Sequence, residues 1–240
     1  MTRFGKLTLI PTPIDSESKL NIEAFELLSS AAAIPEKNLF LVEDPKPARR
    51  RWLHFGLPRE TIKEFIYFNE QTSDSAINDI LKGLKSGKDA FLMSDAGLPA
   101  FCDPGVNLID LCHHHNITVT CTPFFNSISL ALALSGFNHD QFTFFGFAER
   151  KSGLRDEFLK NVMMHEKTSI VMDTPYRLRS LLESMLSIEK NMGKKRDYLL
   201  AMELGKKNEK LLRGSIKNIV NNLPGEGKPE FILVIRGLCP

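Results

Sequence analysis

Cysteine is scarce in this chain and never occurs in a paired Cys-x-x-Cys spacing. Its positions are Cys102, Cys112, Cys121 and Cys239. Isolated cysteines argue against a zinc site and against a thioredoxin-like centre, so we expect reduced thiols. Consecutive histidines occupy positions 113–115, but neighbouring residues of a helix point in different directions and cannot all face one ion. The sequence therefore predicts no metal site.

Long hydrophobic runs and a strong charge of either sign are also missing. The apolar runs fall far short of the ~18 residues that a membrane span needs, and no apolar signal segment follows a basic start. Basic residues number 31 and acidic residues 29, which gives a net charge of +2, so any RNA contact would need a local basic patch. With 42% hydrophobic residues the chain can form a core. We expect a soluble, cytoplasmic protein without a membrane partner.

Short apolar runs alternate with segments of helical spacing along the chain. The predicted strands cover residues 6–10, 38–42, 89–93, 117–121, 142–145, 169–172, 198–202 and 231–235. The predicted helices cover residues 21–33, 75–85, 106–112, 126–134, 155–164, 176–188 and 215–222. Strands outnumber crossover helices in the second half, so we expect some antiparallel pairing there. The pattern predicts an α/β protein with a first domain over residues 1–121 and a second over 122–240.

A loop over residues 94–105 lies between a predicted buried strand and a predicted helix. Loops that follow the strands of an open α/β sheet border the crevice in which small ligands bind. Gly97 allows backbone conformations that a β-carbon penalises and lets a ligand approach the main chain. Asp95 can accept hydrogen bonds from a ligand, and Ala96 and Gly97 can present main-chain groups. The alternative is that Asp95 and Asp103 only cap turns.

The residues of this loop resemble the Ser-Asp-Ala-Gly-Thr-Pro…Asp-Pro-Gly motif of the tetrapyrrole-methylase superfamily, the class III S-adenosylmethionine (SAM) dependent methyltransferases. They resemble in particular the branch that methylates a ribose 2′-hydroxyl in small-subunit ribosomal RNA, although Leu98 stands where that branch usually has Thr. Further matches follow in the same order along the chain, at residues 12–14, 43–44, 48–50, 68–70, 133–137, 145–147, 173–177 and 229–234. The resemblance covers nearly the whole chain.

This resemblance implies two α/β domains, an N-terminal one with a mostly parallel sheet and a C-terminal one with a mixed sheet, and a SAM cleft between them. It also implies a homodimer with ribosomal RNA or the small ribosomal subunit as its partner. Carried over position by position, the implied cofactor-binding residues are Pro13, Asp95, Ala96, Gly97, Asn126, Ser127, Thr174, Pro175, Met202, Pro229 and Glu230. Some loops depart from the branch, at residues 15–16, 125–127 and 173–177.

Candidate catalytic residues follow from the chemistry of methyl transfer to a ribose hydroxyl. A nearby carboxylate would accept the hydroxyl proton, so Glu43, Asp44 and Glu70 are candidates. The arginines at 49–51, which follow prolines expected to end the second strand, could hold phosphates or could form a solvated helix start. Asn69 could orient the substrate or close a turn. We select Glu43, Arg49 and Asn69 as the catalytic candidates.

Two other functions stay open at this stage. A tetrapyrrole or another small molecule could be the methyl acceptor, because the superfamily includes such enzymes. The altered loops are also compatible with a degenerate SAM-binding protein that lacks transferase activity. Transfer of labelled methyl groups to ribosomal subunits, to a soluble macrocycle or to neither distinguishes these functions.

Overall fold

The computed structural model describes residues 3–71, 73–124, 126–193, 195–225 and 227–238. The chain divides into unit 1, Met1–Phe124, and unit 2, Phe125–Pro240. Cys239 lies outside the described residues, as do residue 1, where the first predicted domain begins, and residue 240, where the second ends. Within the described part of the chain, no helix combines the length and the apolar character needed to cross a membrane.

Unit 1 is built on a parallel sheet of five strands in the order β3-β2-β4-β1-β5. The strands are β1 (Leu7–Ile10), β2 (Asn38–Val42), β3 (Phe65–Tyr67), β4 (Asp89–Met93) and β5 (Val119–Cys121). The helices are α1 (Ile22–Ala32), α2 (Pro45–His54), α3 (Ser73–Lys85) and α4 (Val106–His114). Because all strands run in one direction, the loops that follow them lie at one edge of the sheet.

Both faces of this sheet are covered, which explains the continuous apolar runs of its strands. Successive side chains of a strand point to opposite faces. Phe40 of β2 packs in a cluster with residues of α1 and α2, whereas the next residue, Leu41, packs with residues of α3 and α4. In β4, Phe91 and Leu92 divide between the same two clusters. The alternation places β2 and β4 in the interior of the unit.

Unit 2 is built on a mixed sheet of five strands in the order β6-β7-β10-β8-β9. Only β6 and β7 pair in parallel, and the other pairs are antiparallel. The strands are β6 (Phe142–Phe147), β7 (Thr168–Met172), β8 (Tyr198–Met202), β9 (Lys210–Gly214) and β10 (Phe231–Ile235). The helices are α5 (Ser127–Ser135), α6 (Ser152–Met164), α7 (Leu178–Met192) and α8 (Ile216–Asn221). A mixed second sheet was predicted, and this prediction is confirmed.

The central strand β10 is buried along its whole length. Leu233 packs with residues of α6, α7 and α8, whereas Ile232 and Val234 pack with residues of α5. Since β10 is antiparallel to both β7 and β8, its first residues lie at the edge where those two strands end. This edge of unit 2 therefore carries the segments after β6, β7 and β8 and the segment before β10.

The sequence patterns did not predict β3, β9 or the 3₁₀ helices Pro35–Lys37 and Arg59–Glu64. The arginines at 49–51 lie in α2, for which a helix start was one of the two alternatives, and Pro45, expected to end β2, is also the first residue of this helix. Proline is favoured in a first helical turn, where its missing N–H would have no helical partner. Asp44 caps this helix, and its carboxylate accepts a hydrogen bond from the Lys46 amide at 2.9 Å.

Candidate functional site

The carboxyl edge of the unit 1 sheet collects most of the residues selected from the sequence for this half of the chain. Pro13 follows β1, Glu43 follows β2, Asn69 follows β3 and the segment 95–97 follows β4. Because the strands are parallel neighbours, these separate sequence motifs come together at one place. We call this set of loops the unit 1 edge.

The loops after β1 and β4 are joined by main-chain hydrogen bonds. The Thr12 amide donates to the Gly97 carbonyl, and the Gly97 amide donates to the Thr12 carbonyl, each at 3.0 Å. The Thr12 hydroxyl also donates to the Ser94 carbonyl at 3.1 Å. Gly97 has a φ of +89°, which favours glycine. The amide and the carbonyl of Gly97 are thus paired with Thr12, while the space beside its α-carbon is open, so contact between Gly97 and a ligand stays a prediction.

Arg51 has a structural task that its place in an arginine run did not reveal. Its side chain extends from α2, and the residue is 7% exposed. The guanidinium donates to the carbonyls of Asp95 at 3.1 Å, Asp15 at 2.6 Å and Pro13 at 2.7 Å. Burial lowers the pKa of Arg51 below its usual value, and the charges of Asp15 and Asp95 oppose this effect. Arg51 thus fixes the loops after β1 and β4 instead of presenting its charge to phosphates.

Carboxylates crowd the unit 1 edge. Burial and the nearby charge of Glu43 raise the pKa of Asp95 to about 6. Burial and the charges of Glu43 and Asp95 raise the pKa of Asp103 to about 7. The Oδ1 atom of Asp95 is buried and has no hydrogen-bond partner. Since a buried polar atom without a partner is unfavourable, this arrangement favours a ligand that brings positive charge or N–H and O–H donors.

The selected catalytic residues lie at or beside this edge. Glu43 is half-buried, and its Oε2 accepts a hydrogen bond from the Asp95 amide at 3.4 Å. The Asn69 side-chain amide donates to the Glu43 carbonyl at 3.4 Å and accepts from the Gln71 amide at 3.0 Å. Asn69 therefore does close a turn, and it also connects the loops after β2 and β3. Arg49 is exposed on α2.

At the corresponding edge of unit 2, a pocket of about 400 Å³ opens beside the end of β8 and the start of β10. Two residues selected from the sequence, Met202 and Pro229, line it. Glu230 is exposed, and its carboxylate accepts a hydrogen bond from Lys206 at 2.9 Å. Lys206 also pairs with Glu203 at 2.9 Å. Although burial disfavours its charge, the bonds to these two carboxylates raise the pKa of Lys206.

The remaining selected residues of unit 2 follow β7 or begin α5. Thr174 and Pro175 are half-buried and lie in the chain between Asp173 and Arg177, which form an ion pair in which Asp173 is fully buried. Asn126 caps α5, and its side-chain oxygen accepts a hydrogen bond from the Ser129 amide at 2.8 Å. Ser127 is the first residue of that helix. The main-chain carbonyl of Asn126 also accepts hydrogen bonds, from the Leu130 amide and the Ser129 hydroxyl, each at 3.1 Å. Both oxygens of Asn126 are thus used at the start of α5, so a ligand of this segment would have to meet N–H groups or Ser127.

Comparison with known proteins agrees with this architecture. The chain is 31% identical over 236 residues to ribosomal RNA small subunit methyltransferase I of Thermotoga maritima, covering 98% of this chain and 99% of that protein. It is 28% identical to the protein of the same name from Haemophilus influenzae, covering 97% of this chain and 79% of that one.

Solved structures with little sequence identity share the fold. Diphthine synthase superposes with a TM-score of 0.65 at 10% identity, covering 97% of this chain and 90% of that one. Uroporphyrin-III C-methyltransferase from Thermus thermophilus, solved in complex with S-adenosylhomocysteine, superposes with a TM-score of 0.56 at 14% identity. The match covers 98% of this chain and 98% of that one.

The family pattern described as tetrapyrrole (corrin/porphyrin) methylases matches residues 6–220. This match spans the parallel sheet of unit 1 and most of the mixed sheet of unit 2. The chain belongs to the tetrapyrrole methylase family, a family of methyltransferases.

Proposed function

We propose that this protein uses SAM to methylate a ribose 2′-hydroxyl of small-subunit ribosomal RNA. The observation that carries the proposal is the unit 1 edge, where the unpartnered, buried Oδ1 of Asp95 lies among carboxylates. The relatives named as ribosomal RNA small subunit methyltransferases, which match almost the whole chain, support the choice of acceptor.

The residues at this edge suit a cationic cofactor. SAM supplies an electrophilic methyl group on a positively charged sulfonium and also carries an ammonium group. Glu43, Asp95 and Asp103 repel one another, which contributes to the raised pKa values of the two aspartates. A cation bound beside them lowers those pKa values and is itself stabilised. At this edge, Asp95 and the main chain of Ala96 would hold the cofactor. Met202 and Pro229, which line the unit 2 pocket, are cofactor contacts that only the family resemblance implies.

The residues of this edge also meet the needs of methyl transfer to oxygen. The enzyme mainly has to align the acceptor oxygen with the methyl carbon, which is a positioning task. A carboxylate near the hydroxyl would accept its proton while the oxygen–methyl bond forms and the methyl–sulfur bond breaks, which releases S-adenosylhomocysteine. We assign that task to Glu43, since its half-buried carboxylate is held by the Asp95 amide. Asn69 maintains the position of Glu43 through the carbonyl it binds, and exposed Arg49 would meet the RNA backbone.

The proposed enzyme acts as a homodimer in the cytoplasm, where small ribosomal subunits are found. A candidate contact between the copies is β6, which lies at one end of the unit 2 sheet. Phe142 and Phe147 of this strand are 47% and 48% exposed. An edge strand with large exposed apolar side chains is suited to pairing with another chain.

A methyl-transfer assay tests the proposal. Purified protein is incubated with SAM labelled in its methyl group and with small ribosomal subunits from cells that lack the corresponding gene. We expect label in the RNA, in a dinucleotide that resists alkaline cleavage because its 2′-oxygen is blocked. The variant Asp95→Asn loses most of the transfer, whereas Asp110→Asn, at an exposed position of α4, keeps it.

Other outcomes assign other functions. Transfer to uroporphyrinogen but not to ribosomal subunits would identify a tetrapyrrole methylase. If calorimetry shows SAM binding but neither acceptor is labelled, the protein binds the cofactor without transferring its methyl group. Transfer to RNA at an alkali-sensitive position would place the methyl group on a base and contradict the ribose assignment.

A further inference from the structure

The proposed substrate is a polyanion, but the unit 1 edge is acidic. Its loops carry Glu43, Asp44, Asp95 and Asp103, and the buried guanidinium of Arg51 is used by carbonyl oxygens. With a net charge of only +2, the chain must concentrate cations locally to hold RNA. Besides the exposed Arg49 and Arg50 of α2, the described residues offer such a concentration in unit 2.

Tyr176 is the most exposed large apolar or aromatic side chain of the described residues, at 75%. It lies in a short 3₁₀ turn, Pro175–Arg177, directly after β7. The next residue anchors that turn, because the Arg177 guanidinium donates to the carbonyls of Ala148 and Glu149 at 3.0 Å. Arg177 also pairs with the buried Asp173. Tyr176 is therefore an exposed ring on a fixed stretch of backbone.

The ammonium of Lys228 lies 4.2 Å from the centre of the Tyr176 ring. Lys228 precedes β10 and lines the unit 2 pocket together with Lys210 at the start of β9. One face of the ring is thus covered by a cation, and the high exposure of the residue leaves ring surface for another contact. A cation beside an aromatic face provides a phosphate contact and a stacking contact at the same place.

The surroundings of this pair are basic. Arg150 and Lys151 follow β6 and are exposed, and Lys207 is exposed after β8. Because β6, β7 and β8 run in the same direction, these residues share the edge that carries Tyr176. The edge also carries acids: Glu149 is exposed beside Arg150, and the buried Asp173 pairs with Arg177. Glu203 and Glu230 are both bound by Lys206, and Glu209 accepts a hydrogen bond from the Gly205 amide. Several lysines and one arginine therefore remain for an anionic partner.

We propose that Tyr176 and Lys228 form a contact for single-stranded RNA, in which a base stacks on the tyrosine ring and Lys228 binds an adjacent phosphate. This contact rests on the proposed function and adds to it the surface that receives the RNA. Stacking does not depend on the identity of the base, because every base has a π face. The contact therefore provides affinity for RNA, and the unit 1 edge provides the methyl-transfer chemistry.

A series of variants at Tyr176 tests the stacking. Tyr176→Phe keeps the ring, Tyr176→Leu keeps apolar volume without a ring, and Tyr176→Ala removes both. Binding of a fluorescein-labelled oligouridylate is measured by anisotropy, and binding of S-adenosylhomocysteine is measured by calorimetry. We expect the Ala and Leu variants to bind the oligonucleotide roughly 5- to 150-fold more weakly, with the Phe variant near wild type. Affinity for S-adenosylhomocysteine stays unchanged in all three.

Lys228→Ala tests the phosphate contact, with Lys217→Ala on α8 as the control at an exposed position. Each phosphate contact on a single strand contributes about 0.7 to the slope of log affinity against log salt concentration. We expect Lys228→Ala to reduce the slope by about that amount and Lys217→Ala to leave it unchanged. In the transfer assay, Tyr176→Ala raises KM for the small subunit more than it lowers kcat.

The outcomes separate this contact from the proposed function. Absence of methyl transfer by the wild-type protein would count against the proposed function, whereas transfer with an unchanged KM in Tyr176→Ala would overturn the RNA contact alone. Loss of S-adenosylhomocysteine affinity in the Leu and Ala variants would place Tyr176 at the cofactor and also overturn the contact. A wild-type protein that does not bind the oligonucleotide at low salt would contradict it directly.

Discussion

Arg51 offers the sharpest test of how the unit 1 edge is held together. Replacing it by methionine keeps much of the side-chain volume and removes hydrogen bonds to the carbonyls of Pro13, Asp15 and Asp95. Hydrogen bonds to a charged group are worth about 1.5–3 kcal/mol each, and burial of the guanidinium opposes them by several kcal/mol. We therefore expect the free energy of unfolding of unit 1 to fall by about 2–4 kcal/mol.

Thermal unfolding followed by circular dichroism measures this loss. A change of 2–4 kcal/mol lowers Tm by roughly 5–15 °C for a protein of this size. Affinity for S-adenosylhomocysteine falls as well, by about tenfold if loosening the two loops costs ~1.4 kcal/mol of binding free energy. Arg51→Lys gives an intermediate result, because an ammonium cannot reproduce the planar fork of a guanidinium.

Arg49→Met and Arg50→Met are matched controls in the same helix. Both residues are exposed, so each substitution changes the free energy of unfolding by less than ~0.5 kcal/mol. An Arg51→Met protein with wild-type Tm and wild-type affinity for S-adenosylhomocysteine would refute the reasoning. If that variant instead lost only affinity for RNA, and if this affinity depended less on salt concentration than in the wild type, Arg51 would be a phosphate ligand.

Other substitutions test the positive φ of Gly97, the raised pKa of Asp103 and the Asp173–Arg177 ion pair. In urea titrations, Gly97→Ala lowers the free energy of unfolding by about 1–2 kcal/mol, because the backbone φ at this position is positive. Gly153→Ala, in a helix with space for a Cβ, raises the free energy of unfolding slightly. Equal effects of the two substitutions would contradict this reasoning. The raised pKa of Asp103, about 7, means that its contribution to stability is present at about pH 4 and is lost as the pH rises to 7. Asp103→Asn therefore raises Tm at pH 8 but changes it little at pH 4, and a uniform shift across that range would disprove the assignment. Asp173→Ala lowers the free energy of unfolding by about 3–5 kcal/mol, because it breaks the ion pair of the buried Asp173 with Arg177. Arg179→Ala breaks the exposed ion pair with Glu183 and changes the free energy of unfolding by less than ~1 kcal/mol. Similar losses in the two variants would show that burial of the ion pair is unimportant.

The strands that the sequence predicts best are those buried on both faces. The bounds of β2, β4, β8 and β10 agree with the predicted runs, because each strand is a continuous apolar segment. The missed strands, β3 and β9, both lie at the ends of their sheets. Strand β9 is mostly exposed and carries Lys210 and Arg213, so its pattern contains little of the apolar signal on which the prediction depends.

The candidate site could be predicted only as a set of motifs. The loop at 94–105 and the matches around residues 43 and 69 were recognised, and the parallel sheet explains why they meet. The task of Arg51 could not be predicted, since its partners are main-chain carbonyls whose positions depend on the fold. The raised pKa of Asp103 likewise depends on its burial and on the charges of Glu43 and Asp95, which the sequence alone does not place beside it.

The strand order of unit 1 also constrains how the protein is made. Strand β1 pairs with β4 and β5, which follow it much later in the chain, and neither β2 nor β3, the described strands between, is its neighbour. During synthesis β1 therefore remains without a sheet neighbour until β4 has left the ribosome. The hydrogen bonds between Thr12 and Gly97 can close only after that step. A nascent chain that is halted before residue 89 thus lacks the Thr12–Gly97 hydrogen bonds. A ligand of the unit 1 edge would therefore protect the growing chain from proteolysis only after this segment has been made.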